Sequence, residues 1–173
     1  MIMPRGARQL LLPANPVFIW GSLLAALAIS WLPWGRQPAL PDVLAVTLVF
    51  WTVHQPRYVG IVTAFVLGVL TDVHHGALLG QHALAYCLMS YGAVALSRRI
   101  LWFGMAGQML QVLPGFVVMH LVALLVRLAV GDAWPGWPYL LAPLAETLLW
   151  PLATLLLLAP QRRAPDRDAN RPL

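Results

Sequence analysis

Long apolar stretches alternate with short polar segments along the whole chain. Residues 9–35 carry no charged side chain, and residues 73–97 and 100–126 contain neither an acidic residue nor an arginine. About 20 mostly apolar residues in a helix are needed to cross the roughly 30 Å hydrocarbon core of a bilayer. The pattern predicts four membrane-spanning helices, at about residues 16–34, 81–97, 106–130 and 138–159.

The stretch between these first two spans is harder to assign. Two shorter apolar runs, at about residues 41–55 and 59–73, flank Arg57. Pro56 separates them, because proline disfavours a helical conformation for the residue before it. We expect a short central helical hairpin, which brings the number of spans to about six. The alternative is a re-entrant pair that does not fully cross, and either arrangement returns the chain to the same side.

Arginine placement orients the chain in the membrane. Arg36 and Arg127 fall in segments on one side of the predicted spans, and all other arginines fall on the other side. By the positive-inside rule, the N-terminus and the C-terminus are therefore predicted to be cytoplasmic. Residues 160–173 form a basic cytoplasmic tail that we expect to be disordered. The cytoplasmic arginines are Arg5, Arg8, Arg57, Arg98, Arg99, Arg162, Arg163, Arg167 and Arg171.

Composition supports a lipid-facing protein and excludes several other classes. Of the 173 residues, 60% are hydrophobic and 10% are charged, whereas soluble domains carry about 25% charged residues. The formal net charge is +5, but the arginines punctuate apolar runs and form no basic patch, so nucleic acid is not an expected partner. The single cysteine, Cys87, excludes an intrachain disulfide.

Ionisable residues within the spans are candidate functional residues, because each costs at least about 2.5–3.5 kcal/mol to insert. His120 and Glu146 lie at similar predicted depths, so we expect them to meet near the midplane as a polar pair. The pair serves either as a clasp between helices or as a proton or substrate site. Arg127 either reaches the interface or pairs with Asp72.

The densest polar cluster runs from Asp72 to His82 and contains three histidines. Its spacing matches no standard zinc pattern, so we predict no metal site. Gly76 and Gly80 are spaced for a helix contact, but a turn explains them equally well. Nucleophile-elbow, zinc-protease and phosphate-loop motifs are absent from the sequence. We therefore expect neither an enzyme nor a cofactor.

The central block of the chain carries a specific set of motifs. They are Pro41-Asp42, Phe50-Trp51, His54-Gln55-Pro56-Arg57, Gly60, Phe65, Gly68, Asp72-Val73-His74, Gly76, Leu79-Gly80-Gln81-His82-Ala83-Leu84-Ala85-Tyr86 and Tyr91. With these motifs the block resembles the rod shape-determining protein MreD family, particularly its proteobacterial members. The length, the six apolar segments and the basic C-terminus are also similar.

This resemblance implies a non-enzymatic scaffold of the cell-wall elongation machinery in the bacterial inner membrane. Such a protein acts with an MreC-like partner and with other membrane proteins of the elongation complex. It couples cytoskeletal filaments to peptidoglycan synthesis and thereby maintains rod cell shape. The resemblance also implies a helical arrangement similar to the substrate-binding components of vitamin transporters, although fold does not fix function.

Residues that match the family's pattern are candidates for contacting partners or for holding the hairpin. The sequence also allows the protein to form a homo-oligomer. An alternative function is the uptake of a small vitamin-type molecule. An intramembrane enzyme that uses Glu146 is a third alternative. The candidate residues are His54, Pro56, Arg57, Gly60, Gly68, Asp72, Gly76, Gly80, Gln81, His82 and Tyr86.

Overall fold

The computed structural model describes residues 15–32 and 40–161. The described residues form six α-helices, with a 3-10 helix before and after the last of them, and contain no β-strand. The predicted tail lies, from residue 162 onward, outside the described residues. The helices are α1 (Pro16–Ser30), α2 (Val43–His54), α3 (Ile61–His75), α4 (Gln81–Trp102), α5 (Met105–Ala129) and α6 (Ala142–Leu158), and the 3-10 helices are Trp137–Leu141 and Ala159–Gln161.

The predicted all-helical architecture with six apolar helices is confirmed. Two helical segments of 25 residues are long and apolar enough to cross a membrane: α5, and α6 together with its flanking 3-10 turns. The helices α1, α2 and α3 are apolar but shorter, with 15, 12 and 15 residues. The short central pair predicted around Arg57 is thus present as α2 and α3, joined by a tight turn.

The core of the bundle is built around α2. Every residue from Leu44 to Val53 is buried, as expected for a helix that is apolar on all sides. Its neighbours are α1, α4 and α6, whereas α3 packs mainly against α4. The two helices of the hairpin therefore both pack against α4.

Close packing of α3 on α4 depends on Gly68. A Cβ atom at this position would lie 2.4 Å from the Cα atom of Ala83 on α4, which is far inside van der Waals contact. The turn between the same helices also needs glycine, because Gly76 and Gly80 have φ angles of +61° and +104°. Of the two uses considered for this glycine pair, the structure has the turn, since α3 ends before Gly76 and α4 begins after Gly80.

Polar contacts collect at one end of the bundle, where α1, α3 and α5 end and α2, α4 and α6 begin. Examples are the stacking of Trp31 on His74 and the hydrogen bond from the Asp42 amide to Glu146. The arginine distribution predicts that this end faces away from the cytoplasm. We refer to it as the predicted outer end.

The Gly68 contact gives a stability prediction with an internal control. We expect Gly68→Ala to lower the free energy of unfolding by about 1–3 kcal/mol, because backbone atoms of α4 must move to admit the methyl group. Gly92→Ala on α4 is the control: no atom lies within 4 Å of the added Cβ, so helix propensity alone predicts a gain of up to about 1 kcal/mol. Thermal unfolding in detergent micelles measures both. Equal stability of the two variants would contradict the close approach.

Candidate functional site

Two carboxylates with no solvent exposure, Glu146 and Asp72, organise the predicted outer end. A buried carboxylate is tolerated only when donors satisfy its oxygens. In this bundle the donors come from other helices or their caps, so each carboxylate also joins neighbouring helices.

Glu146 joins three helices. Its Oε1 atom accepts a hydrogen bond of 3.1 Å from the backbone N–H of Asp42, at the start of α2. The same oxygen lies 2.8 Å from Nε2 of His120 on α5. The structure therefore brings together the two residues that the sequence placed at similar depth, and it adds a third partner.

Asp42 is the residue that sequence reasoning missed as a site residue. Its Oδ1 atom caps α2 by accepting from the Ala45 N–H at 3.0 Å, and its Oδ2 atom accepts from the hydroxyl of the fully buried Tyr86 on α4. A signal was available, because an acidic residue directly before an apolar helical run is a typical N-cap. Asp42 thus links α2 to α4 while its own amide binds Glu146.

Tyr139 extends the same network. Its hydroxyl donates to the backbone carbonyl of His120 at 3.2 Å, and the two rings meet edge to face with centroids 4.9 Å apart. The 3-10 turn before α6 is thereby fastened to α5. We call the set Asp42, Tyr86, His120, Tyr139 and Glu146 the polar network.

Asp72 fastens the α3–α4 turn. It accepts hydrogen bonds of 2.8 Å from the backbone N–H groups of Gly80 and His82, and one of its oxygens lies 2.7 Å from Nδ1 of His82. The first N–H groups of a helix have no partner within the helix. Asp72 therefore supplies acceptors to the beginning of α4.

The predicted pairing of Arg127 with Asp72 is wrong. Nε of Arg127 lies 3.0 Å from Oδ2 of Asp132 in the loop after α5, while Asp72 is fully buried and has its partners on α4. The arginine sits near the end of its helix, where an acidic residue five positions later is within reach. Similar predicted depth did not place the two side chains on facing surfaces.

Other candidate residues lie at the opposite end of the bundle, around the turn between α2 and α3. His54 stacks on Phe50 with ring centroids 4.1 Å apart, and its Nδ1 atom lies 2.9 Å from the Phe50 carbonyl oxygen. Pro56 and Arg57 are exposed, and Gly60 precedes α3 as its N-cap. The candidates thus form two separate groups, one at each end, and Gln81 belongs to the outer group as a buried residue in the first turn of α4.

Two tryptophans make further contacts between helices that sequence reasoning did not identify. The indole N–H of Trp51 donates to the Ser22 hydroxyl at 2.8 Å, and that of Trp150 donates to the side-chain oxygen of Gln108 at 3.1 Å. A buried indole N–H generally needs an acceptor. The sequence shows the tryptophans but does not show which polar side chain faces each of them.

A cavity of about 800 Å³ adjoins the polar network. Such a volume lies within the usual range for small-molecule sites. Within residues 15–32 and 40–161, no three side chains of His, Cys, Asp or Glu are placed to hold a metal ion. The cavity is lined by Ile29, Ser30, Trp31, Leu32, Leu40, Pro41, Asp42, Val43, Thr71, His74, His75, His82, Tyr86, Met119, His120, Ala123 and Tyr139.

Comparison with known proteins identifies the family. The family model described as rod shape-determining protein MreD matches residues 13–159, which cover the helical bundle. The chain belongs to the MreD family. A relative from Haemophilus influenzae, named rod shape-determining protein MreD, is 30% identical over 148 residues, covering 80% of this chain and 89% of that protein. No solved structure matches the chain.

Membership in the MreD family confirms the resemblance carried by the central block. It establishes this chain as a membrane protein with a role in determining rod shape. MreD is a family of shape-determining proteins and is not a known family of enzymes.

The contacts of Asp72 predict a large difference between two aspartate substitutions. Asp72→Ala leaves the part-buried N–H groups of Gly80 and His82 without their acceptor, and we expect a total loss of about 1–3 kcal/mol. Asp132→Ala removes an exposed ion pair and should cost less than about 1 kcal/mol. Unfolding in detergent micelles compares the two variants. A cost for Asp72→Ala no larger than that for Asp132→Ala would contradict the assignment.

Proposed function

We propose that this protein is a non-enzymatic scaffold of the cell-wall elongation machinery in the bacterial inner membrane, which it crosses several times. It acts with an MreC-like partner and couples cytoskeletal filaments to peptidoglycan synthesis. The observation that carries the proposal is the match to the MreD family over residues 13–159. The family match does not favour the alternative of small-molecule uptake.

The contacts of the buried acids support a structural role for them. Asp72 and Glu146 each accept a backbone N–H from the start of another helix. A carboxylate occupied in this way holds helix ends together. The intramembrane enzyme considered for Glu146 gains no support from this geometry.

Exposed apolar side chains on α3 offer a surface for a membrane-embedded partner. Val62, Phe65 and Val66 are all exposed, and their spacing of three, four and one residues places them on one face of the helix. Lipid or the transmembrane helix of a partner can cover this face. We propose the face as the contact for the MreC-like protein.

The turn between α2 and α3 offers a second surface, at the predicted cytoplasmic end. Pro56, Arg57 and Tyr58 are consecutive exposed residues, and Arg57 makes no ion pair with another described residue. Arginine and tyrosine are enriched among the residues that dominate binding energy at interfaces. We propose this turn as the contact for cytoplasmic components of the machinery.

Depletion in a rod-shaped host that carries this protein tests the role in elongation. We expect cells to become round, and the wild-type chain to restore rods and to co-purify with an MreC-like protein. Arg57→Ala should weaken co-purification of cytoplasmic components by about fivefold, the loss of roughly 1 kcal/mol expected for an interface arginine.

Arg127→Ala is the matched control, since it removes an arginine at the other end of the bundle that pairs locally with Asp132. It should leave cell shape and co-purification unchanged. Rods that persist after complete depletion would refute the role in elongation. Equal effects of the two arginine substitutions would refute only the proposed contact at the turn.

A further inference from the structure

The cavity at the predicted outer end has an acidic and aromatic wall. Asp42 is the acidic residue among those that line the cavity, and its amide is bound to Glu146. No lysine or arginine is found among the described residues that line the cavity.

Within the described residues, neither carboxyl group of the polar network is paired with an arginine. Among the described residues, Asp42 receives hydrogen bonds from an amide and a tyrosine hydroxyl, and Glu146 from an amide and an imidazole. Carboxylates in apolar surroundings are usually paired with a cation. A positively charged ligand in the adjoining cavity would provide the cationic partner that these contacts lack.

Aromatic rings complete the surroundings of the cavity. Trp31 stacks on His74 with ring centroids 5.2 Å apart, and Tyr86 and Tyr139 line the interior. Aromatic faces attract organic cations, and tryptophan does so most strongly. Apolar lining residues such as Ile29 and Met119 would accommodate a hydrocarbon portion of the same molecule.

We propose that this cavity binds an organic cation, a protonated amine attached to an apolar body. The ammonium group lies near the carboxylate of Asp42 and faces the aromatic rings, while the apolar body occupies the rest of the cavity. Binding stabilises the outer end of the bundle, where all six helices have one end. The proposal concerns ligand binding without transport and is independent of the proposed role in elongation.

Calorimetric titration of the purified full-length protein with three matched indole probes tests the charge preference. The probes are tryptamine, the neutral alcohol tryptophol and the anion indole-3-propionate, in uncharged maltoside micelles at pH 8. At this pH an alkylamine is protonated and an unperturbed histidine is neutral. We expect tryptamine to bind at least about tenfold more tightly than either analogue, as a charge-assisted hydrogen bond implies. Equal affinity for the three probes, or preference for the anion, would overturn the proposal.

The variant Asp42→Asn tests the effect of the carboxylate charge on binding while keeping the helix cap that Asp42 provides. The single oxygen of asparagine caps a helix as well as that of aspartate does, and its NH2 group can donate to the hydroxyl oxygen of Tyr86, so the variant should fold. It should bind tryptamine about tenfold to a hundredfold more weakly. Asp132→Asn removes the same charge from an exposed loop outside the cavity and should bind like the wild type. Unchanged binding by Asp42→Asn, or equal losses in both variants, would overturn the proposal.

Trp31→Leu provides a second test that does not involve the polar network. Trp31 is 41% exposed at the end of α1, so its replacement should leave the fold intact. Loss of a cation–aromatic contact predicts binding weakened by about threefold to tenfold for tryptamine and little changed for tryptophol. A loss of the same size for both probes would count against recognition of the cation.

The ammonium group can belong to a soluble amine or to the ethanolamine headgroup of a lipid, and a competition experiment distinguishes these sources. Phosphatidylethanolamine is added to the micelles before titration with tryptamine, and phosphatidylglycerol, which has no amine, serves as the control lipid. Competition by the ethanolamine lipid alone supports the proposal with a lipid as the source. Absence of competition with retained tryptamine binding supports it with a soluble amine.

Discussion

A carboxylate buried between membrane helices has to receive hydrogen bonds from those helices, because lipid tails and apolar side chains supply no donors. Glu146 meets this requirement at Oε1, which is shared between the start of α2 and His120 on α5, while Oε2 has no hydrogen-bond partner among the described residues. The arrangement fixes three helices relative to each other at one end. Removing any one member would leave a buried polar group unsatisfied.

The contacts of Glu146 Oε1 connect to further contacts that hold the predicted outer end together. Asp42 can bind Tyr86 because its own amide is held by Glu146, and this in turn sets α4 against the central helix α2. Asp72 likewise holds the α3–α4 turn in place, by accepting hydrogen bonds from Gly80 and His82. The cavity lies where these fastened helix ends diverge, so the same polar residues that hold the bundle also form part of its wall.

Apolar runs, proline and arginine placement predicted the six helices, because segment length and side-chain polarity are properties of the sequence itself. Helix rise predicted that His120 and Glu146 have similar depth, and the structure places them in contact. The same reasoning failed for Arg127 and Asp72, because depth does not specify which way a helix face turns. Asp42 was missed because its role depends on two distant residues, Tyr86 and Glu146, that only packing brings near.

A double-mutant cycle between His120 and Glu146 tests most directly whether this buried contact holds the bundle together. Leucine replaces each residue singly and both together, and the free energy of unfolding is measured in detergent micelles. The double variant should lose about 1–2 kcal/mol less than the sum of the single variants, because each single change leaves a buried polar group unpaired. Losses that add to within about 0.5 kcal/mol would contradict the account.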